Sequence, residues 1–307
     1  MNTIESTETP PRIKQGWLRA VLALVVWFIF NLIVGIAGAI ALSLIFGFPL
    51  QQLTGLTNNP DMVHILLILQ FLSLLSTLLV VWGFRRWIDR RTFKSLGWTV
   101  AGHQREMIVG LFLGLILVLA GFIILLSLGF LTVDSIRFPL VSILVYLLLF
   151  VIVALNEELV MRGYILNNLM QSMNKYIALI ISSLLFMILH LRNPNVSVLG
   201  MTNVFLAGLF LGAFYIHHKN LWLPIFLHFS WNFFQGPVLG FEVSGLALDS
   251  IISQSITGPD WLTGGEFGYE GSLLANISLL LAFVGLDVWS RMKKTNRSTD
   301  DSDATKP

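Results

Sequence analysis

The run LVSILVYLLLFVIVALNEELVMR, residues 140–162, is a predominantly apolar stretch that ends in two adjacent carboxylates and an arginine. A membrane span needs roughly 20 apolar residues at a rise of about 1.5 Å each, and the segment 139–170 around this run meets that length. Charged groups inside a span cost at least about 2.5 to 3.5 kcal/mol each on insertion scales, so they persist where a partner or a water-filled cavity receives them. Glu157, Glu158 and Arg162 therefore mark either a site within the bilayer or a solvated helix end at its edge.

Seven further segments meet the same requirement, at about 18–46, 63–84, 107–131, 175–191, 199–216, 221–237 and 273–290. The whole chain of 307 residues is 55% hydrophobic and 12% charged, with a mean hydropathy of +0.79. That charged share is about half the usual one for a soluble domain. The expected fold class is all-α, a polytopic membrane helical bundle of about eight transmembrane helices. Lys and Arg cluster before the first span, between the second and third, and after the last, while the connection 238–272 has five acidic residues and no Lys or Arg. The positive-inside rule then places both termini in the cytoplasm. Within 238–272, the stretch 246–256 reads as an ordered loop or a short interfacial helix. One membrane domain is expected over 17–291, with a polar N-terminal tail, 1–16, and a disordered C-terminal tail, 292–307. Gly35, Gly38, Gly110, Gly114, Gly208 and Gly212 recur at close helical spacing. Tight helix contacts, or the general frequency of glycine in membrane helices, account for them equally.

The other ionisable or strongly polar groups near spans are few: His190, His228 with Asn232, and Asp287. Glu158 and Arg162 are four apart with the acid N-terminal, the favourable order for a helical ion pair. Glu157 lies about 100° around the helix from Glu158 and about 140° from Arg162, free to face another surface. Phe186 precedes His190 by one turn, and His228 shares a face with Asn232. Measured from the turn at 172–175, Glu157 and His190 are equally distant, each about 25 Å along its helix. His228 and Asn232 lie roughly 14 and 20 Å from the next turn at 217–220. One polar layer containing all four is expected, because four separate packing accidents would each need their own partner in the membrane.

The three patterns EExxxR (Glu157, Glu158, Arg162), FxxxH (Phe186, His190) and HxxxN (His228, Asn232), in this order on separate spans, resemble the CAAX-protease and bacteriocin-processing family, also called CPBP or Abi. Its members include relatives of the type II CAAX prenyl endopeptidase, and the resemblance covers about 139–236. It implies an intramembrane endopeptidase in a cell membrane, expected to be bacterial, acting on a membrane-associated or lipidated peptide and on no nucleic acid. Glu157 would be the base for water with His190 assisting, and His228 and Asn232 would stabilise the oxyanion. Glu158, Arg162 and Phe186 would support them, with capture of a substrate's terminal carboxylate as an alternative role for Arg162. The family is often labelled metalloprotease, and Glu157, His190 and His228 make a His/His/carboxylate set for Zn2+, so metal-dependent and metal-independent mechanisms both stay open.

Other protease classes are excluded by inventory. No cysteine is present, no HExxH occurs, no pair of aspartates lies within spans, and the nearest approach to GxSG, Val243-Ser244-Gly245, follows Glu242 in the acidic connection. The competing functions are an ion-coupled transporter and a non-catalytic bacteriocin-immunity or peptide-binding membrane protein. A transporter would show inverted repeats, and none is evident.

Overall fold

A computed structural model of the chain describes residues 9–52 and 62–285. Residues 1–8 of the N-terminal tail, Asp287, the basic residues from 291 onward and the whole C-terminal tail lie outside the described residues. Five helices are long and apolar enough to cross a membrane: α1 (Gly16–Phe46), α2 (Val63–Gly83, continued by a π-helical turn Phe84–Ile88), α3 (Gln104–Ser127), α4 (Leu140–Glu158, continued as far as Leu169) and α6 (Val198–His218). Large apolar side chains stand exposed around these helices, among them Ile33 and Leu44 on α1 and Ile108 and Ile116 on α3. In water such surfaces would drive aggregation; in lipid they are the solvated face. The protein is built as an integral membrane protein.

The remaining expected spans are helical but short. These are α5 (Lys175–Leu189), α7 (Trp222–Phe233, with a π-helical extension Phe234–Val238) and α8 (Leu273–Gly285). Fifteen residues of α5 reach only about 22 Å at the standard rise, against a hydrocarbon core of about 30 Å. Of the about eight transmembrane helices expected, five among the described residues are long and apolar enough to cross by themselves. α7 is enclosed by other helices, whereas α5 buries one face and leaves Tyr176, Ile177, Ile180, Leu184 and Ile188 exposed on the other.

The chain is mostly helical, as expected, but the helices are joined by one short ladder of two strands among the described residues. Residues Leu131–Ile136 form strand β1, which pairs antiparallel with β2, Ile252–Ile256. The expected third span stops short because Gly129 adopts φ +75, and Leu131 begins the strand. Both runs are short and contain Ile with Thr, Val or Ser, too brief for helix periodicity to register. Part of 246–256, expected as a loop or interfacial helix, is thus an edge of a hairpin-like ladder. It ties the α7–α8 connection to the α3–α4 connection.

Close helix approach, left open by the glycine spacing, is decided at particular positions. The most extensive helix pairing is α3 with α7. A Cβ on Gly110 would stand 2.7 Å from the Leu223 carbonyl oxygen, and one on Gly114 would stand 2.8 Å from Leu227 O and Trp231 N. Those neighbours are backbone and cannot rotate away. Gly208 and Gly212 admit Ser183 and Leu179 of α5, Gly38 meets side-chain ends of Leu72 and Leu69, and Gly35 faces open space. Gly114→Val is expected to separate α7 from α3 at a cost of about 1–3 kcal/mol or more. Gly35→Ala should stay within about 0.5 kcal/mol of the wild type. Thermal melting of the two variants in detergent checks this contrast.

Candidate active site

α4 carries two carboxylates whose surroundings differ completely. The Glu158 side chain is 0% exposed and its Oε1 accepts from Arg162 Nη1 at 2.8 Å. Arg162 also donates to the Gly208 carbonyl at 3.2 Å and stacks over the Phe186 ring, 4.4 Å from its centroid. The helical ion pair is therefore formed and fully enclosed. Buried as it is, with no face on the central cavity, Arg162 is not placed to capture a substrate carboxylate. Immediately after Glu158 the helix widens to π geometry over Leu159–Leu166, a form that recurs at functional sites.

Glu157, one residue earlier, is 29% exposed and turns to a central cavity of about 590 Å³. Its Oε2 lies 3.7 Å from His190 Nε2 and 3.9 Å from His228 Nε2, and it has no hydrogen-bond partner among the described residues. The level placement expected from helix lengths is realised in three dimensions. Asn232, one turn after His228 on α7, lines the same cavity.

The hydrogen bonds on the far side of each imidazole fix its role. His190, the residue that ends α5, holds Nδ1 2.7 Å from the Phe186 carbonyl oxygen, which only accepts, so Nδ1 carries a proton and the neutral ring presents the Nε2 lone pair toward Glu157. His228 Nδ1 lies 2.9 Å from Glu158 Oε1, also an acceptor, so its Nε2 is a donor when the ring is an imidazolium. Phe186 contacts both rings, with centroids 4.5 Å from His190 and 6.3 Å from His228. One phenylalanine thus spaces Arg162 and both histidines. Glu158 holds His228 as well as Arg162, a link that sequence spacing within α4 does not contain.

Glu157, His190 and His228 are donor types that zinc accepts. A zinc tetrahedron with bonds near 2.1 Å has an edge of about 3.4 Å, and both separations from Glu157 exceed it. Among the described residues no three His, Asp or Glu side chains stand in the arrangement of a metal site.

The cavity has further polar walls. Asn156 donates from Nδ2 to Ser73 Oγ at 3.0 Å, Ser73 donates to Asn31 Oδ1 at 2.7 Å, and Asn156 Oδ1 is buried without a partner. This chain of side chains reaches α2 and α1, which carry none of the three motifs. From the opposite side the α7–α8 connection folds inward. Asn203 on α6 donates to the carbonyls of Glu270 and Ser272 at 2.9 and 2.7 Å, and the Tyr269 ring fills the space over Gly121. Ser244, in a turn at φ +53, then donates to Glu270 Oε1 at 2.6 Å, and both line the cavity. Among the described residues no Lys or Arg lines it. The only sequence signal for this was the five unpaired acids of 238–272.

Burial pushes the Glu270 carboxyl above the ordinary carboxylate value, against the lowering effects of Ser244, His190 and His228. A carboxyl raised in this way binds its proton more tightly folded than unfolded. The stabilisation is complete below the unfolded pKa and is lost as pH rises through the folded one. Glu270→Gln is neutral at every pH, so the wild type should lose melting temperature relative to this variant as pH rises through and above the carboxylate range. A difference independent of pH would show that Glu270 does not titrate there.

Residues 139–234 match the model of the type II CAAX prenyl endopeptidase Rce1-like family. Comparison with curated proteins finds no match. The matched stretch is less than half of the chain. It runs from the start of α4 to the end of α7 and contains Glu157, Glu158, Arg162, Phe186, His190, His228 and Asn232. The family seen in the three motifs is thus the family found over this range, a family of membrane proteases. Asn31, Ser73, Ser244 and Glu270 lie outside it.

Proposed function

We propose that the protein is a glutamate-dependent intramembrane protease that cleaves a membrane-associated or lipidated peptide inside the central cavity. The observation that carries this reading is the division of labour between adjacent carboxylates. Glu158 is enclosed with Arg162 and His228, whereas Glu157 faces two imidazole nitrogens in an accessible cavity. The gaps of 3.7 and 3.9 Å are too long for direct hydrogen bonds, and in this reading the three groups share a water that sits beside them in the cavity.

In this mechanism Glu157 takes a proton from the water while His190 Nε2 accepts its second hydrogen and orients the lone pair. The water oxygen bonds to the scissile carbonyl carbon, and the carbonyl π electrons move to oxygen. Nε2–H of the His228 imidazolium and the Asn232 amide donate to that oxyanion. The Glu157 proton then passes to the leaving nitrogen as the C–N bond breaks. Apolar walls from Leu149, Phe150 and Leu227 lower the dielectric around the developing charge.

The unpartnered Asn156 Oδ1 and the Ser73–Asn31 pair supply acceptors and donors suited to an extended peptide backbone. The distribution of Lys and Arg supports an eight-pass topology with both termini in the cytoplasm as part of this reading. Its test is a comparison of membrane peptides and proteins in cells carrying wild-type or Glu157→Gln protein. Shortened products should appear with the wild type alone. Identical patterns, with both proteins folded and equally abundant, would count against proteolysis.

A further inference from the structure

A second cavity, of about 320 Å³, lies at the end of α2 far from the motif residues in sequence and is lined by Trp82, Arg85, Arg86, Arg90, Arg91, Thr92 and Phe93. We propose that it binds the phosphate of an anionic phospholipid headgroup.

The chain turns sharply here. Asp89 N donates to the Phe84 carbonyl at 2.9 Å and Arg91 N to the Arg85 carbonyl at 3.0 Å, while Arg90 sits in the left-handed region at φ +56. A non-glycine residue in that region is disfavoured by about 1–2 kcal/mol. The turn brings successive arginines to one rim. Arg85 forms the floor and is already engaged, donating to Asp89 and to Ser95. Asp89 is the only acidic residue between 62 and 105, and Arg19, Arg85 and Tyr164 saturate it. Among the described residues no acidic side chain lines the cavity. Arg86 and Arg90 are exposed on its rim, Arg90 also donating from Nη1 to the Pro10 carbonyl at 3.4 Å, and guanidinium groups present planar pairs of donors suited to phosphate oxygens.

The surroundings point to a phosphate attached to acyl chains. Phe71, Leu75, Leu79 and Trp82 stand exposed on α2 at spacings of four, four and three, making an apolar stripe that leads to Arg86. Trp82 and Trp87 pack edge to face at 5.1 Å and are both about half exposed, the aromatic signature of the headgroup level. A lipid lying along the stripe delivers its phosphate to the arginine rim.

The test uses the purified full-length protein in neutral detergent, with bound lipid counted by native mass spectrometry. The probes are dioctanoyl phosphatidylglycerol, dioctanoyl phosphatidylcholine and inorganic phosphate. Phosphatidylglycerol is expected to saturate a site on the wild type, with affinity lowered roughly tenfold or more in the Arg86→Gln/Arg90→Gln variant. Equal binding of phosphatidylcholine would overturn recognition of the anion. Displacement by inorganic phosphate at equal concentration would overturn the lipid as the source. Unchanged affinity in a double variant with wild-type melting would overturn the site itself, and the two competitor arms decide on wild-type protein alone should that variant fold poorly.

Discussion

Glu157→Gln is expected to lower the rate of peptide cleavage by about a hundredfold to ten-thousandfold, the range that a positioned acid–base group contributes, while leaving the fold intact. The amide keeps the shape of the carboxylate but cannot accept the proton from water. Stability should change little, because Glu157 Oε2 has no hydrogen-bond partner among the described residues and the side chain is 29% exposed. Glu158→Gln makes the informative contrast. It weakens the enclosed pair with Arg162 and the bond that holds His228 Nδ1, so cleavage and melting temperature should fall together. Cleavage rates measured on matched, folded samples separate the two cases. Full activity in Glu157→Gln would remove the assigned base, and a large loss of melting temperature would return Glu157 to a structural role.

The largest expected loss of stability lies elsewhere, at Asp89. Its carboxylate accepts from Arg19 Nη1 at 2.7 Å, Arg85 Nη1 at 3.0 Å and the Tyr164 hydroxyl at 3.3 Å, with all three ionic side chains no more than 2% exposed. These partners come from the start of α1, the turn after α2 and the π-helical stretch after the motif glutamates. Arg19 also donates to Gln171 at 2.8 Å, which closes the cluster around the end of α4. Asp89→Asn would leave two buried guanidiniums facing a neutral amide. Breaking a buried pair from one side costs about 3–5 kcal/mol. Thermal melting in detergent should show a large drop, and a shift within about 0.5 kcal/mol would mean that water or lipid headgroups already solvate the cluster.

Helix positions were readable because a bilayer imposes one strong rule, about 20 apolar residues per crossing. The bounds 139–170 expected for the fourth span and 140–169 observed differ by one residue at each end. The same rule does not set the length of α7, which other helices enclose, or of α5, which has only 15 residues although Tyr176, Ile177, Ile180, Leu184 and Ile188 stand exposed on it. It was also silent on β1 and β2, where pairing across more than a hundred residues, Leu131 with Ile256, leaves no local period. Asp89 passed unremarked for a related reason. Its partners are 70 and 75 residues away as well as four, and only the last separation is visible on one helix.

The candidate site divides along the same line. Sequence by itself determined which residues share a helix face and a depth, since a fixed rise and rotation per residue make those quantities local. That was enough to select Glu157, His190, His228 and Asn232 and to separate Glu157 from the Glu158–Arg162 pair. Tertiary structure decided what faces what: that Glu158 also holds His228, that Phe186 spaces Arg162 and both imidazoles, and that Asn31, Ser73, Ser244 and Glu270 close the cavity. Those contacts depend on how far helices approach and how a connecting loop folds back. Both are set by packing at places such as Gly114 and Gly121, where a missing side chain on one helix acquires meaning only from the neighbour that fills its space.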